Sequence, residues 1–276
     1  MKAVRFLVLV GLGVVVFGVT MTFAGRIPAA AHLWLRLGLL AVFGGLWLAA
    51  RGDDAFGRFR PIFFAYFAIV AGLTAGWYGM EPITTRLALG FTPLSNAVAK
   101  AVQAGLVAVT MLALTLASGQ NLGSLHLRKG RLALGLGFGL AGFAVMIVLT
   151  FLPGGPFMKP GALAAAKLLP VLPWVLLFAL SNAFMEEILF RGVLIERQAA
   201  LVGPKLALIS TALVFALAHV QVTYAAQLIF FVAFVFVLGL AWGYLMQKSK
   251  SIWGSLLFHA GADVAVILPI YQAMMR

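Results

Sequence analysis

Three short groups of residues, each with at least one ionisable side chain, interrupt the apolar last third of this chain. The groups are Glu186, Glu187 and Arg191; Phe215 and His219; and His259 and Asp263. Carboxylates can act as general bases, and imidazole rings can transfer protons or stabilise negative charge. A site that combines two carboxylates with two imidazoles could therefore activate water and stabilise an oxyanion.

The first group begins where an apolar segment ends. Glu187 and Arg191 are four residues apart, so on a helix they share one face and Arg191 can neutralise Glu187. Glu186 points about 100° away from Glu187 and could face a different cavity. The alternative interpretation of Glu187 and Arg191 is a salt bridge at the membrane border without a chemical role.

The second and third groups also have a spacing of four residues. Phe215 can pack against the ring of His219, whose alternative interpretation is an ordinary buried histidine. Asp263 can orient His259, or both side chains can face one cavity, or the two can simply form a hydrogen-bonded pair between helices. Ser255 precedes His259 by four residues, which leaves a serine–histidine site open.

The three groups are more informative together than singly. Each ionisable side chain at membrane depth is costly, and burying all of them independently would multiply that cost. The acidic residues that precede the last third of the chain, which are Asp53, Asp54 and Glu81, are interpreted as solvated charges. We therefore expect one shared site that water can reach.

The composition predicts the fold class that must position these groups. The chain is 63% hydrophobic and 10% charged, and its mean hydropathy is +1.08. Soluble domains average about 45–50% apolar and about 25% charged residues. These values exclude a soluble globule, a disordered chain and a coiled coil, and the absence of cysteine excludes a disulfide scaffold. We predict an all-α, polytopic membrane helical bundle with about eight or nine transmembrane helices.

Nine apolar segments have the length of a membrane span, which is roughly 20 residues. They are 6–24, 31–50, 61–79, 98–118, 132–152, 163–184, 206–221, 225–246 and 252–272. The polar stretch 119–131 predicts a boundary between an N-terminal region of four helices, 1–118, and a core with the site, 119–276. Close helix packing is predicted at Gly135, Gly137, Gly139 and Gly142, and at Gly239 and Gly243. His32 and Arg36 are interpreted as side chains that reach the membrane interface.

The basic residues predict an orientation. Of the 20 lysines and arginines, 13 lie in alternate connections: the N-terminus and segments 51–60, 119–131, 185–205 and 247–251. The positive-inside rule then predicts a multi-pass protein of the cell membrane, with a cytoplasmic N-terminus and an outside C-terminus. Glu186 would lie near the cytoplasmic face, in a cavity open to that side. The scattered basic residues build no face for nucleic acid, despite a net charge of +13.

The motifs, in their order and spacing, resemble a known family. Glu-Glu-x-x-x-Arg at 186–191, Phe-x-x-x-His at 215–219 and His-x-x-x-Asp at 259–263 are similar to the signature motifs of the CAAX prenyl protease and bacteriocin-processing family. These are intramembrane glutamic proteases of the type II CAAX endopeptidase kind. The resemblance covers roughly residues 120–272, and the N-terminal helices match it only as additional spans.

The resemblance implies a role for each motif residue. Glu186 would activate water, His219 would help to hold it, Glu187 and Arg191 would support the site, and His259 and Asp263 would stabilise the oxyanion. The family commonly has Asn at the last position. An ionised aspartate cannot donate a hydrogen bond, so Asp263 must be protonated, orient His259, or leave oxyanion stabilisation to that histidine.

The resulting hypothesis is an intramembrane peptidase without a metal or other cofactor. Its partners would be membrane lipids and a protein or peptide substrate, lipidated or membrane-anchored, that is cleaved near the cytoplasmic face. Three alternatives remain: a metal site at Glu186, His219 and His259, a serine–histidine site, and a non-proteolytic scaffold or immunity-type protein of the same fold.

Overall fold

The structure is helical in the part of the chain that it describes. This computed structural model describes residues 1–52, 54–88, 90–151, 168–223, 225 and 227–275, and these residues form no β-strand. Eight helical runs within them are long and apolar enough to cross a membrane. The prediction of an all-α polytopic bundle with eight or nine spans is confirmed.

The helices differ in length and regularity. In chain order they are α1 (Lys2–Phe17), α2 (Ala29–Ala49), α3 (Asp54–Gly57), α4 (Arg60–Leu87), α5 (Pro93–Ala117), α6 (Leu132–Phe151), α7 (Leu168–Glu186), α8 (Ile195–Val202), α9 (Pro204–Leu217), α10 (Leu228–Ser249) and α11 (Trp253–Met274). A π-helical segment, Gly18–Thr22, extends α1, and a second one, Glu187–Leu194, joins α7 to α8.

Two of the predicted spans differ from the structure. The segment predicted to end at residue 184 continues as one helical run, Leu168–Val202, so Glu186 and Glu187 lie inside a helix rather than after it. The segment predicted at 206–221 is the 14-residue helix α9, about 21 Å long and shorter than a bilayer core of about 30 Å. Residues 152, 163–167 and 226 of the predicted spans lie outside the described residues, as do Asp53 and the side chain of Asp54.

α6 and α11 run in the same direction, and glycines allow them to pack closely. A Cβ atom at Gly139 would lie 2.5 Å from the carbonyl oxygen of Gly254, and one at Gly261 would lie 2.7 Å from the Cα of Phe143. Gly135 and Gly142 also face α11, whereas Gly137 meets open space. The predicted packing role is confirmed for Gly135, Gly139 and Gly142 and is wrong for Gly137.

The second predicted pair of packing glycines lies between α9 and α10. A Cβ atom at Gly239 would lie 3.2 Å from Ala212, and one at Gly243 would lie 2.5 Å from the side chain of Leu208. Both glycines therefore let α10 approach α9, as the sequence predicts.

The predicted basic connections meet at one end of the bundle, which we call the basic end. Hydrogen bonds connect them there: Arg5 to Leu201, Arg197 to Gln120, and Arg128 to Lys250. Segment 51–60 joins them at a cavity of about 600 Å³ that Arg60 lines together with Arg128 and Arg197. Arg191 is an exception, because it is buried in the core rather than placed at this end.

His32 and Arg36 do not reach the membrane interface, so that interpretation is wrong. Both side chains are buried, at 2% and 0% exposure. Arg36 donates to His32 Nε2 at 2.8 Å, to the carbonyl of Thr20 at 2.6 Å and to Thr74 at 3.3 Å. Thr20 lies in the π-helical end of α1, where irregular turns leave carbonyls that need donors, and Arg36 satisfies one of them.

We expect Gly139→Ala to destabilise the bundle, because a methyl group there meets the backbone of α11. Overpacking of this kind typically costs about 1–3 kcal/mol. Gly137→Ala is the matched control on the same helix, and we expect it to be neutral or stabilising because alanine favours helix over glycine. Unfolding of both purified variants in detergent checks the difference, and equal midpoints would contradict the packing argument.

Candidate active site

Two antiparallel helices bring four polar side chains face to face. Asn182 and Glu186 are one turn apart on α7, and His259 and Asp263 are one turn apart on α11. Glu186 Oε2 lies 3.4 Å from His259 Nε2, and Asn182 Nδ2 donates to Asp263 Oδ2 at 3.1 Å. The i, i+4 spacing on each helix therefore places two polar pairs one above the other.

Glu187 sets the orientation of His259. The Nδ1–H of His259 donates to Glu187 Oε1 at 3.0 Å, and Arg191 Nη1 lies 3.2 Å from the same oxygen. Asp263 Oδ1 is 3.8 Å from His259 Nε2, which is beyond hydrogen-bond range. Of the possibilities left open for Asp263, the one in which it orients His259 is wrong, because that bond comes from Glu187. The His259 Nε2 faces both Glu186 and Asp263.

Aromatic rings hold the His259 imidazole from two sides. The ring of Trp242 stacks on it with 3.9 Å between centroids and an angle of 12°. Phe215 packs edge-on, with centroids 5.6 Å apart. The same two aromatic rings lie close to the Arg191 guanidinium, at 4.6 Å for Phe215 and 5.3 Å for Trp242. These contacts leave His259 and Arg191 little freedom to rotate.

The π-helical segment shapes the supporting side of the site. Glu187 and Arg191 both lie in Glu187–Leu194, where the sequence analysis assumed an α-helix. Wide turns free backbone carbonyls, and Arg197 donates to that of Val193 at 2.8 Å. Gly192 brings this segment against the loop at Leu125, because a Cβ atom there would lie 2.9 Å from the Leu125 carbonyl oxygen.

His219 follows the end of α9 and lies beside Phe215, as the sequence predicts. Its Nδ1–H donates to the carbonyl of Phe215 at 2.8 Å, and the two rings pack with centroids 4.7 Å apart. In the neutral ring this bond assigns the proton to Nδ1, so Nε2 is left as an acceptor.

One cavity, of about 210 Å³, connects these groups. Its polar lining consists of Asn182, Glu186, His219, His259 and Asp263, and the remainder of its wall is apolar, with residues such as Phe231 and Ile270. Glu187 and Arg191 lie behind this wall and are buried, at 0% and 1% exposure. The structure thus divides the six predicted residues into four that face a cavity and two that support them.

The cavity extends away from the basic end, which differs from the predicted direction. α11 begins at the basic end, where the Ile252 N–H donates to the carbonyl of His126. From there His259 is about 9 Å along the helix and Ile270 about 25 Å. The distribution of charges in the sequence predicts how deep Glu186 lies in the membrane. It does not predict on which side of Glu186 the helices move apart to form the cavity.

Three residues close to the site were missed by the sequence analysis. Asn182 carried a usable signal, since it precedes Glu186 by four residues, but only ionisable groups were considered. Trp242 carried none, because a tryptophan in an apolar helix is ordinary. Lys100 on α5 has its ammonium group 5.5 Å from the ring centre of Phe178, which lines the cavity, so the N-terminal region also reaches the site.

The geometry bears on the serine–histidine site and on the metal site, which are two of the alternative hypotheses. The Ser255 hydroxyl donates to the carbonyl of Ile252 at 3.0 Å rather than to His259, which disfavours a serine–histidine site. Among the described residues, no three histidine or acidic side chains are placed to hold a metal ion together.

We expect Arg191→Met to destabilise the protein strongly, because it leaves Glu187 buried without its cationic partner. Breaking a buried pair from one side costs about 3–5 kcal/mol. Lys250→Met is the matched control, since Lys250 is exposed and lies 4.0 Å from Glu196, and such pairs are worth about 0–1 kcal/mol. Denaturant unfolding measures both, and similar losses would show that the Arg191 pair is not important for stability.

Comparison with known proteins gives a family similarity for the part of the chain that carries these motifs. Residues 168–265 match the family model described as type II CAAX prenyl endopeptidase Rce1-like, and this range includes all three motifs. The comparisons with curated proteins and with solved structures gave no match. Over residues 168–265, the chain is therefore similar to Rce1-like type II CAAX prenyl endopeptidases.

Proposed function

We propose that this protein is an intramembrane endopeptidase that hydrolyses a peptide bond with water activated by Glu186. The observation that carries the proposal is the position of Glu186, which faces the cavity beside a histidine whose orientation Glu187 sets. The family of the matching domain is one of CAAX endopeptidases, which supports a hydrolase.

Proton transfer through Glu186 completes the reaction. Its carboxylate accepts a proton from water while the oxygen attacks the carbonyl carbon of the scissile bond, and His219 Nε2 accepts a hydrogen bond from the same water. The proton then passes from Glu186 to the leaving nitrogen as the C–N bond breaks. Base and acid are thus the same side chain at successive steps, and no metal is required.

His259 and Asp263 form the wall opposite Glu186. When the imidazole carries both protons, Nδ1–H stays bonded to Glu187, and Nε2–H faces the cavity, where Glu186 Oε2 at 3.4 Å competes for it with the developing oxyanion. Arg191 acts through Glu187, because it keeps this carboxylate in place. Glu187 and Arg191 are therefore positioning residues in this mechanism.

The cavity walls indicate the kind of substrate. Phe178, Phe231, Phe234 and Leu238 line the space around the polar groups. An apolar wall of this kind suits a membrane-anchored or lipid-modified protein or peptide, because transfer of an apolar chain out of water lowers the free energy. We propose such a substrate, surrounded by membrane lipids, whose scissile bond lies next to the Glu186 carboxylate.

We propose a cytoplasmic N-terminus and an outside C-terminus. The basic connections lie together at one end, and the positive-inside rule assigns that end to the cytoplasm. α1 begins at the basic end, so the N-terminus lies there. α11 also begins at the basic end, so its C-terminal end lies on the opposite side. Cleavage would then occur in the cytoplasmic half of the membrane, since His259 lies about 9 Å along α11.

Single cysteines can test this orientation, because the chain has none of its own. We expect an impermeant maleimide to label Phe91→Cys in intact cells and to label Lys129→Cys only after lysis. Phe91 is 86% exposed at the end opposite the basic end, and Lys129 is exposed at the basic end. The reverse pattern would contradict the proposed orientation.

Glu186→Gln should abolish cleavage, because an amide cannot accept the proton from water. Loss of a general base typically lowers the rate by about 10²–10⁴-fold. The purified protein is incubated with a peptide library that includes lipidated and membrane-anchored segments, and mass spectrometry locates the cut. Glu196→Gln is the matched control, since Glu196 lies on the same helical run outside the cavity.

The same assay separates this mechanism from its competitors. We expect EDTA to leave the activity unchanged. Loss of cleavage with EDTA and its restoration by zinc would favour a metal-dependent peptidase. Equal cleavage by wild type and Glu186→Gln would remove Glu186 as the base and contradict the proposal.

A further inference from the structure

The cavity needs a hydrogen-bond donor at the position where negative charge develops. In peptide hydrolysis this charge appears on the carbonyl oxygen, and preorganised donors stabilise it. Ionised carboxylates only accept hydrogen bonds, and a neutral His219 or His259 has its single ring proton engaged at Nδ1. Among the described residues that line the cavity, Asn182 and Trp242 have permanent neutral donors. The Trp242 indole is stacked on the His259 ring, whereas Asn182 shares a helix face with Glu186.

The contacts of Asn182 support this reading. It is 9% exposed, and its amide donates one N–H to Asp263 Oδ2 at 3.1 Å. A side-chain amide has two N–H groups, and among the described residues we find no other acceptor for the second. Asn182 also lies one helical turn from Glu186 on the same face, about 5–6 Å between Cβ atoms. A carbonyl attacked by water at Glu186 can therefore present its oxygen to this amide.

We propose that Asn182 is a catalytic residue that donates its second N–H to the carbonyl oxygen of the scissile bond. Asp263 is then a positioning residue, because a carboxylate accepts only from the NH₂ side of the amide and so determines which way the amide faces. The bond is charge-assisted when Asp263 is ionised, which makes it stronger than a neutral one. This inference rests on the proposed peptidase function and adds a residue to its site.

The competing explanation is that Asn182 only joins α7 to α11. Asn96 is a matched comparison, because its Oδ1 accepts from the Tyr271 hydroxyl at 2.9 Å and so joins α5 to the same helix α11, outside the cavity. If the bond of Asn182 is purely structural, Asn182→Ala and Asn96→Ala should act in the same way.

Kinetics of Asn182→Ala, Asn182→Asp and Asn96→Ala test the inference, with the substrate that the library assay defines. We expect both Asn182 variants to lose about 10²–10³-fold in kcat, as for other oxyanion donors. KM should stay within roughly threefold, because the interaction forms mainly in the transition state. Asn182→Asp keeps the shape and removes the donor, and Asn96→Ala should retain the wild-type kcat. Melting temperatures in detergent establish that all three variants are folded.

The outcomes separate this inference from the proposed function. If Asn182→Ala keeps kcat within roughly threefold of wild type, or loses no more than Asn96→Ala, while Glu186→Gln is inactive, the inference is wrong and the peptidase mechanism stands. If Glu186→Gln is as active as wild type, the proposed function itself fails. A selective loss of kcat in both Asn182 variants supports the assignment.

Discussion

The ion pair between Arg191 and Glu187 is the constraint on which the site depends. Both side chains are almost fully buried, and an isolated charge there would cost several kcal/mol. The pair is therefore held firmly, and its shared carboxylate oxygen also accepts from His259 Nδ1. Once that bond is made, the direction of His259 Nε2 is determined, and Glu186 lies in front of it.

Irregular backbone makes this arrangement possible. The π-helical turns of Glu187–Leu194 carry the ion pair and expose carbonyls that Arg197 satisfies. On the other side, glycines allow α11 to approach α6 so closely that no side-chain atom fits between the two backbones at these positions. α11 therefore has one face held by α6 and turns its polar face, with His259 and Asp263, toward α7. The precision of the site comes from these close contacts rather than from flexible loops.

The site has two layers with different tasks. Glu187 and Arg191 form a buried supporting layer, in which their charges stabilise each other. Neither side chain lines the cavity. The cavity layer has an otherwise apolar wall and consists of Asn182, Glu186, His219, His259 and Asp263. Low polarity around a small number of polar groups strengthens their electrostatic effect on a bound substrate. The supporting layer keeps the cavity layer in position.

The sequence by itself determined the class of protein and most of the ionisable residues that the fold brings together, because charges are so costly in apolar helices that few candidates exist. Tertiary structure alone decided that Glu187 rather than Asp263 orients His259, that Asn182 meets Asp263, and that the cavity extends away from the basic end. It also decided that Arg36 is buried. The physical reason is that a spacing of four residues defines a face of one helix, whereas contacts between residues 72 and 81 positions apart depend on how neighbouring helices cross.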